Sequence, residues 1–458
     1  MKRLFLVLLT VSLIPAAVFA GGSRQGDGSQ TSGGAQKTLS VYTWADGFDL
    51  TIQKAILDDY QAAHPEIKIE YNPTAYNEYH AKMNAMVAAN STPDIFQMNE
   101  FLVTEWGEKS IGEDLKPLYQ KAGINSDDLF LAPLIWTSNG HLWGVSGVTP
   151  GMGILYYNKK LFRDAGITPP PDSTSLPWTW QQYADAAKKL TKDSKGRKPG
   201  DSGFDYDDAV QWGTMMPTSW LWWAALLYTD GQGVANADGT GFGMNNPGAI
   251  RIIQSIADMS LKDKSAPSTA MTSGGAFSSA STMLMNDQLA MVIAGNWEYI
   301  GYADEKYDVG IAQIPSFSGK GGNIAWSNGF MLKKGASPEA FDLYRHLVET
   351  EPRAAAARKH NLTFPNGMPP TKLTVSTPSV ADGLVPDLSM PLINLQNAIM
   401  GDPGTKQGEN VYVKNWSEIV DAIIVPEFDK VWMGVETASQ AIQSLAVQLQ
   451  GKWQGLWK

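Results

Sequence analysis

Apolar positions change period repeatedly along the first third of the chain. Leu39-Ser40-Val41-Tyr42-Thr43-Trp44 alternates and is rich in strand formers, so it reads as a β-strand. Ile52, Ala55, Ile56, Tyr60 and Ala63 then recur at helical spacing. His64-Pro65 ends that helix, because proline disfavours helical backbone in the residue before it. Ile67, Ile69 and Tyr71 alternate again, Glu78 to Asn90 sets Met83, Met86 and Val87 on one helical face, and Pro93 to Met98 reads as a third strand. Strand, helix, strand, helix, strand over such short connections predicts right-handed βαβ units and a parallel α/β sheet.

Further on, Gly140–Val145 and Gly153–Asn158 read as strands around a Gly/Pro-rich bend, Gly147 to Gly151. Asn158 leads into a short helix that stops at Gly166, and Thr179 caps a helix running to about Leu190. Lys192 to Asp208 is a polar loop, followed by the Trp-rich stretch Trp212 to Trp223.

Residues 1–20 have a different character. Lys2 and Arg3 precede the apolar run Leu4–Ile14, Pro15 breaks it, and Val18-Phe19-Ala20 offers small residues for cleavage before Gly21, the pattern of a secretory signal peptide. The run is shorter than the ~20 apolar residues that a spanning helix needs. Residues 21–37, almost entirely Gly, Ser, Gln and other small or polar side chains, are expected to form a flexible tether. With no cysteine to acylate, a periplasmic location without a lipid anchor is expected.

Composition narrows the chemistry. The 458 residues carry formal charge −10, which disfavours nucleic acid, and the absence of cysteine removes disulfides, thiolate metal sites and cysteine nucleophiles. The five histidines show no zinc spacing, and no P-loop, dinucleotide fingerprint or nucleophile elbow is present. Asp205-Tyr206-Asp207-Asp208 lacks the glycine and distal glutamate of a calcium loop. No cofactor, metal or catalytic group is therefore expected. Ligands of open α/β sheets bind beyond the carboxyl ends of the strands. That rule selects Trp44 and Asp46 after the first strand, Tyr76 after the second, and Asn99 and Glu100 after the third.

Gly147 to Asp164 (GVTPGMGILYYNKKLFRD) resembles the signature of the family 1 extracellular solute-binding proteins, the sugar-capturing subunits of ABC importers, although Ile154 stands where that pattern has a small residue. Pro65-Glu66-Ile67, Pro93-Asp94-Ile95, Met291–Trp297 and Gly310–Pro315 resemble further segments of the same family, in the same order. The resemblance implies a two-lobed α/β periplasmic-binding-protein fold of type II, with a ligand cleft between lobes joined by hinge segments. Hinges are expected near Val145–Gly151, Ile311–Pro315 and Glu349–Pro352. They give a first lobe of 38–147 plus 315–350 and a second of 150–312 plus 352–458. The resemblance also implies a carbohydrate ligand, membrane permease subunits as partners, and a monomer that hinges from open to closed.

Sugars present C–H faces, which flat aromatic rings cover, and a rim of hydroxyls, which carboxylates and amides satisfy. Trp297 is the second-lobe candidate that the resemblance implies. Trp220, Trp222 or Trp223 supplies another ring, and Trp326 and Asn328 follow a glycine-rich bend that brings them towards the ligand. Two alternatives stay open on the sequence. A secreted glycoside hydrolase would need two carboxyls about 5–5.5 or 6.5–9.5 Å apart, and a receptor of the same fold would take a different solute.

Overall fold

A computed structural model defines the fold and describes residues 36–45, 47–126, 134–147, 150–171, 176–273, 279–302, 308–364 and 383–457. The expected signal peptide, and all but the last two residues of the expected tether, lie outside these, as does Asp46. Among the described residues no helix is long and apolar enough to cross a membrane.

Two sheets organise the chain. In the first, β1 (Lys37–Thr43) lies between β2 (Ile67–Pro73) and β3 (Ile95–Met98) and runs parallel to both. Helices α1 (Gly47–Ala63) and α2 (Tyr76–Ala88) make the crossovers. Beyond β3 the sheet turns antiparallel. The late strand Gly329–Leu332 pairs with β3, and the hairpin of β4 (Ile135–Ser138) and β5 (His141–Val145) completes the six-stranded sheet. The parallel arrangement expected from the sequence thus holds for three strands, and the sheet as a whole is mixed.

Strand alternation fills both faces of this sheet. Val41, Ile95 and Phe330 pack with Ile52, Ile56 and Leu347 on one side, while Tyr42, Phe96 and Met331 pack with Tyr79, Met83 and Trp106 on the other. In the second sheet, β6 (Gly153–Asn158) is the centre of three antiparallel strands, between Met291–Gly295 and Val309–Ala312. Leu155 and Tyr157 face one core, and Ile154 and Tyr156 the other. The larger of those cores takes in Trp223, whose ring meets Phe428, and the C-terminal helix Ala438–Gln448. Local signals ended these helices where expected. Thr179 makes a capping box with Gln182 at the start of Trp180–Leu190, and Gly166, at φ 63°, closes Lys159–Ala165 in the left-handed conformation glycine favours.

Among the described residues the chain passes between the sheets three times. It leaves β5 for β6 through a turn in which Gly147 lies so close to the Leu347 carbonyl that a Cβ would stand 2.8 Å from that oxygen. It returns at Trp326–Asn328, between the strand Asn323–Ala325, which pairs with Thr405–Gln407, and the strand Gly329–Leu332. The third passage follows Leu384, which packs in the first core, and leads to the helix Met390–Met400 on the second. The first passage falls where the sequence placed a hinge. The other two lie further along. Ala312 and Ile314 belong to the second core, and the helix Thr350–His360 packs on the first through Ala354 and Ala357.

Candidate functional site

Trp44 leaves the end of β1 half-buried and meets three rings of α2: Tyr76 with centroids 5.6 Å apart, Tyr79 at 4.8 Å and His80 at 5.5 Å. Tyr79 is fixed from below, its hydroxyl donating to the Tyr42 and Gln97 carbonyls at 3.0 and 2.6 Å. Tyr76 is instead 57 % exposed, and its hydroxyl oxygen accepts from Asn99 Nδ2 at 3.1 Å. Asn99 caps the end of β3, and α3 (Glu100–Glu108) starts at the next residue. The strand-end rule therefore brought Trp44, Tyr76 and Asn99 into one cluster.

A second cluster comes from three separate elements. Trp222 stands on the helix Trp220–Tyr228, Trp297 on the short turn Asn296–Glu298, and Trp326 on the passage between sheets. The Trp222 and Trp297 rings stack at 6.1 Å with an interplanar angle of 30°, while Trp326 meets them at 6.1 and 5.7 Å. Trp297 stays 44 % exposed. Glycines make room for this group, since a Cβ at Gly295 would lie 2.3 Å from the Trp297 ring and one at Gly151 2.9 Å from Trp326. Amides pin the adjoining backbone. Asn323 accepts from the Gly153 amide and donates to its carbonyl, and Asn296 does the same for Met152 and Pro150.

Strand register links the two clusters. Gly329 pairs with Met98 in an antiparallel ladder, so Asn328, the half-buried residue before it, continues towards Asn99. Trp326 is two residues further along the same passage. Trp220 falls outside both groups, its ring edge-on to Trp416 at 5.5 Å, and Trp223 is fully buried. Asp46 lies outside the described residues.

Glu100 has a setting that its position after a strand did not suggest. It is 5 % exposed, and Asn410 Nδ2, from the helix Glu409–Tyr412 of the second lobe, donates to its Oε1 at 2.8 Å. Burial pushes the carboxyl up to about 7; its own backbone amide and Asn410 oppose that rise, and the charge of Asp421 adds to it. Asp421, at the edge of the same patch, is also raised by desolvation. Tyr412 packs against both cores, and Phe101 reaches into the larger one. Tyr79, His80, Asn410 and Asp421 were not among the residues expected at the site. Periodicity could have placed Tyr79 on the buried face of α2, whereas Asn410 lies 310 residues from its partner.

Among the described residues no group of histidines and acidic residues is set to hold a metal ion. The residues converging here are aromatic rings, amides and two carboxyls. They suit a neutral guest that has apolar faces and hydrogen-bonding edges.

Comparison with known proteins places this arrangement. The chain is 27 % identical over 301 residues to an sn-glycerol-3-phosphate-binding periplasmic protein of Pectobacterium atrosepticum, a match covering 62 % of each chain. It is 26 % identical over 329 residues to a maltooligosaccharide ABC transporter solute-binding lipoprotein of Streptococcus pneumoniae, covering 70 % of this chain and 71 % of that one. Its fold matches an ABC substrate-binding protein of Listeria monocytogenes in complex with cycloalternan, with a TM-score of 0.73 at 21 % identity over 91 % of this chain and 99 % of the other. It also matches a maltose/maltodextrin-binding domain of Bdellovibrio bacteriovorus bound to maltotriose, with a TM-score of 0.68 at 19 % identity over 91 % and 99 %. Both support the two-lobed fold. Residues 46–354 match the model of the bacterial extracellular solute-binding proteins, and the chain belongs to that family.

Proposed function

We propose that this protein captures a saccharide, most simply an oligosaccharide, outside the cytoplasm and delivers it unchanged to the permease of an ABC importer. The observation that carries the reading is the pair of aromatic clusters, one at the strand ends of the first lobe and one on the second, joined by the passage Trp326–Asn328. Trp44, Trp222, Trp297 and Trp326 supply the faces for sugar rings, and Tyr76, Asn99 and Asn328 the hydrogen-bonding edges. Lobe closure about the three passages buries the guest, because only the closed arrangement makes both sets of contacts. The protein acts as a monomer, exported by the leader at residues 1–20.

Charge favours a sugar over a phosphorylated solute such as the one named for the Pectobacterium relative. Glu100 and Asp421 flank the first cluster, and neither forms an ion pair with lysine or arginine among the described residues. A phosphate dianion there would meet like charge in a partly desolvated setting.

Thermal-shift screening over mono- and oligosaccharides, with glycerol 3-phosphate beside them, tests the proposal. A raised melting temperature with a saccharide, and no newly released reducing ends after incubation, is the expected result. Stabilisation by glycerol 3-phosphate alone would refute the ligand class, and released reducing ends would make the protein a hydrolase.

A further inference from the structure

We propose that Glu100 and Asn410 form a latch between the two lobes, a pair of positioning residues that favours the apposed arrangement before any ligand is bound. Glu100 opens α3 on the first lobe. Asn410 belongs to the helix Glu409–Tyr412, which follows the strand Thr405–Gln407, and that strand pairs with Asn323–Ala325 of the second. Their hydrogen bond, 2.8 Å long, therefore spans the boundary that must open when the lobes separate. The latch rests on the hinged-receptor reading above.

Each partner is tied to its own lobe by its neighbours, while Val411 and Tyr412 of the Asn410 helix also pack on the first lobe and share the boundary. Glu409, beside Asn410, turns away from the boundary, its oxygens accepting from the Val234 and Ala235 amides at 2.8 and 3.1 Å. Gly408 donates its amide to the Ala325 carbonyl. Asn410 is 1 % exposed, and its Oδ1 has no hydrogen-bond partner among the described residues. On the other side, Asn99 donates to Tyr76 and faces His80, so the start of α3 is tied to α2. A bond held so firmly at each end reports lobe apposition directly.

The groups around Glu100 make the latch sensitive to pH. Asp421 faces it from the segment Val420–Ile424 and Tyr76 from α2, and no lysine or arginine pairs with Glu100 or Asp421 among the described residues. Apposition removes the carboxyl from water and leaves it with an amide in place of a cation, which favours the protonated form. Separation returns it towards its ordinary value of 4.5 from about 7. Apposition thus takes up a proton. It is most favoured below about pH 4.5 and weakens progressively until pH has risen through about 7. Burial lowers the His80 pKa and raises that of the Tyr76 hydroxyl.

The chain has no cysteine, so Lys121→Cys and Lys262→Cys introduce unique spin-label sites, one on each lobe. Pulsed electron–electron distance measurements on the unliganded protein should show apposed and separated populations. Their ratio should fall by up to about thirtyfold between pH 5.5 and 8.5, the limit set by the two carboxyl values. Asn410→Ala should lower the apposed fraction at both pH values. Glu100→Gln, which keeps an acceptor for Asn410 and cannot ionise, should hold it high and independent of pH. Populations that ignore pH and both variants while shifting with maltotriose would overturn the latch and leave the receptor standing. A single unmoving distance in every sample, maltotriose included, would overturn both.

Discussion

The two aromatic clusters are built from the same residue types and behave as opposites. On the first lobe the rings stand among titratable and hydrogen-bonding groups, with Tyr76 on Asn99 and Glu100 beside Asp421. On the second, Trp222, Trp297 and Trp326 pack mainly against one another, and the nearby amides of Asn296 and Asn323 are occupied by backbone. One lobe thus offers hydrogen-bonding direction and the other a flat apolar wall. A polyhydroxylated guest needs both, which is why closure and affinity should be coupled.

Substitutions on the two sides should therefore have different consequences. The largest expected effect is on the polar side. The folded-state carboxyl of Glu100 is raised, so its contribution to stability is present below about pH 4.5 and lost as pH rises through about 7. Glu100→Gln should therefore stabilise the protein at pH 8 and change little at pH 5, as read from urea unfolding at the two pH values. The gain at pH 8 is at most about 3 kcal/mol if the wild-type lobes stay apposed, and less to the extent that they separate. On the apolar side, Trp297→Ala should weaken saccharide binding at least tenfold, about 1.4 kcal/mol, with little change in melting temperature because the ring is partly exposed. Calorimetric titration checks it, and an unchanged dissociation constant would remove Trp297 from the site. Trp44→Ala should cost less, about fivefold, since Tyr76 keeps a ring at that end. Trp220→Phe should leave affinity within about twofold, because its ring packs on Trp416 instead of in either cluster.

These contrasts also show which features local sequence could reveal. The strand–helix alternation of Leu39 to Met98, the Thr179 cap and the Gly166 stop depend on neighbouring residues, and they were legible. Trp44, Asn99 and Tyr76 were proposed for the site from the strand-end rule, and Trp297 from the family resemblance. The second and third passages between lobes were not legible in their positions. Whether Gly310–Pro315 or Trp326–Asn328 crosses between the sheets depends on which strands the flanking residues pair with, and pairing with Thr405–Gln407 leaves no periodic trace. The setting of Glu100 was hidden for a related reason. A carboxylate at a strand end looks available to a ligand until a residue from the far end of the chain covers it. The indoles of the second cluster could not be told from Trp223 by composition, because only the helix phase turns Trp222 outward and Trp223 into the core.

Small-angle X-ray scattering at about pH 8.5, where the latch is weakest, with and without the saccharide found by thermal-shift screening, decides whether the lobes close on the ligand. Capture between two lobes predicts that the radius of gyration falls when the sugar saturates the protein. An unchanged radius in the presence of calorimetrically proven binding would contradict it.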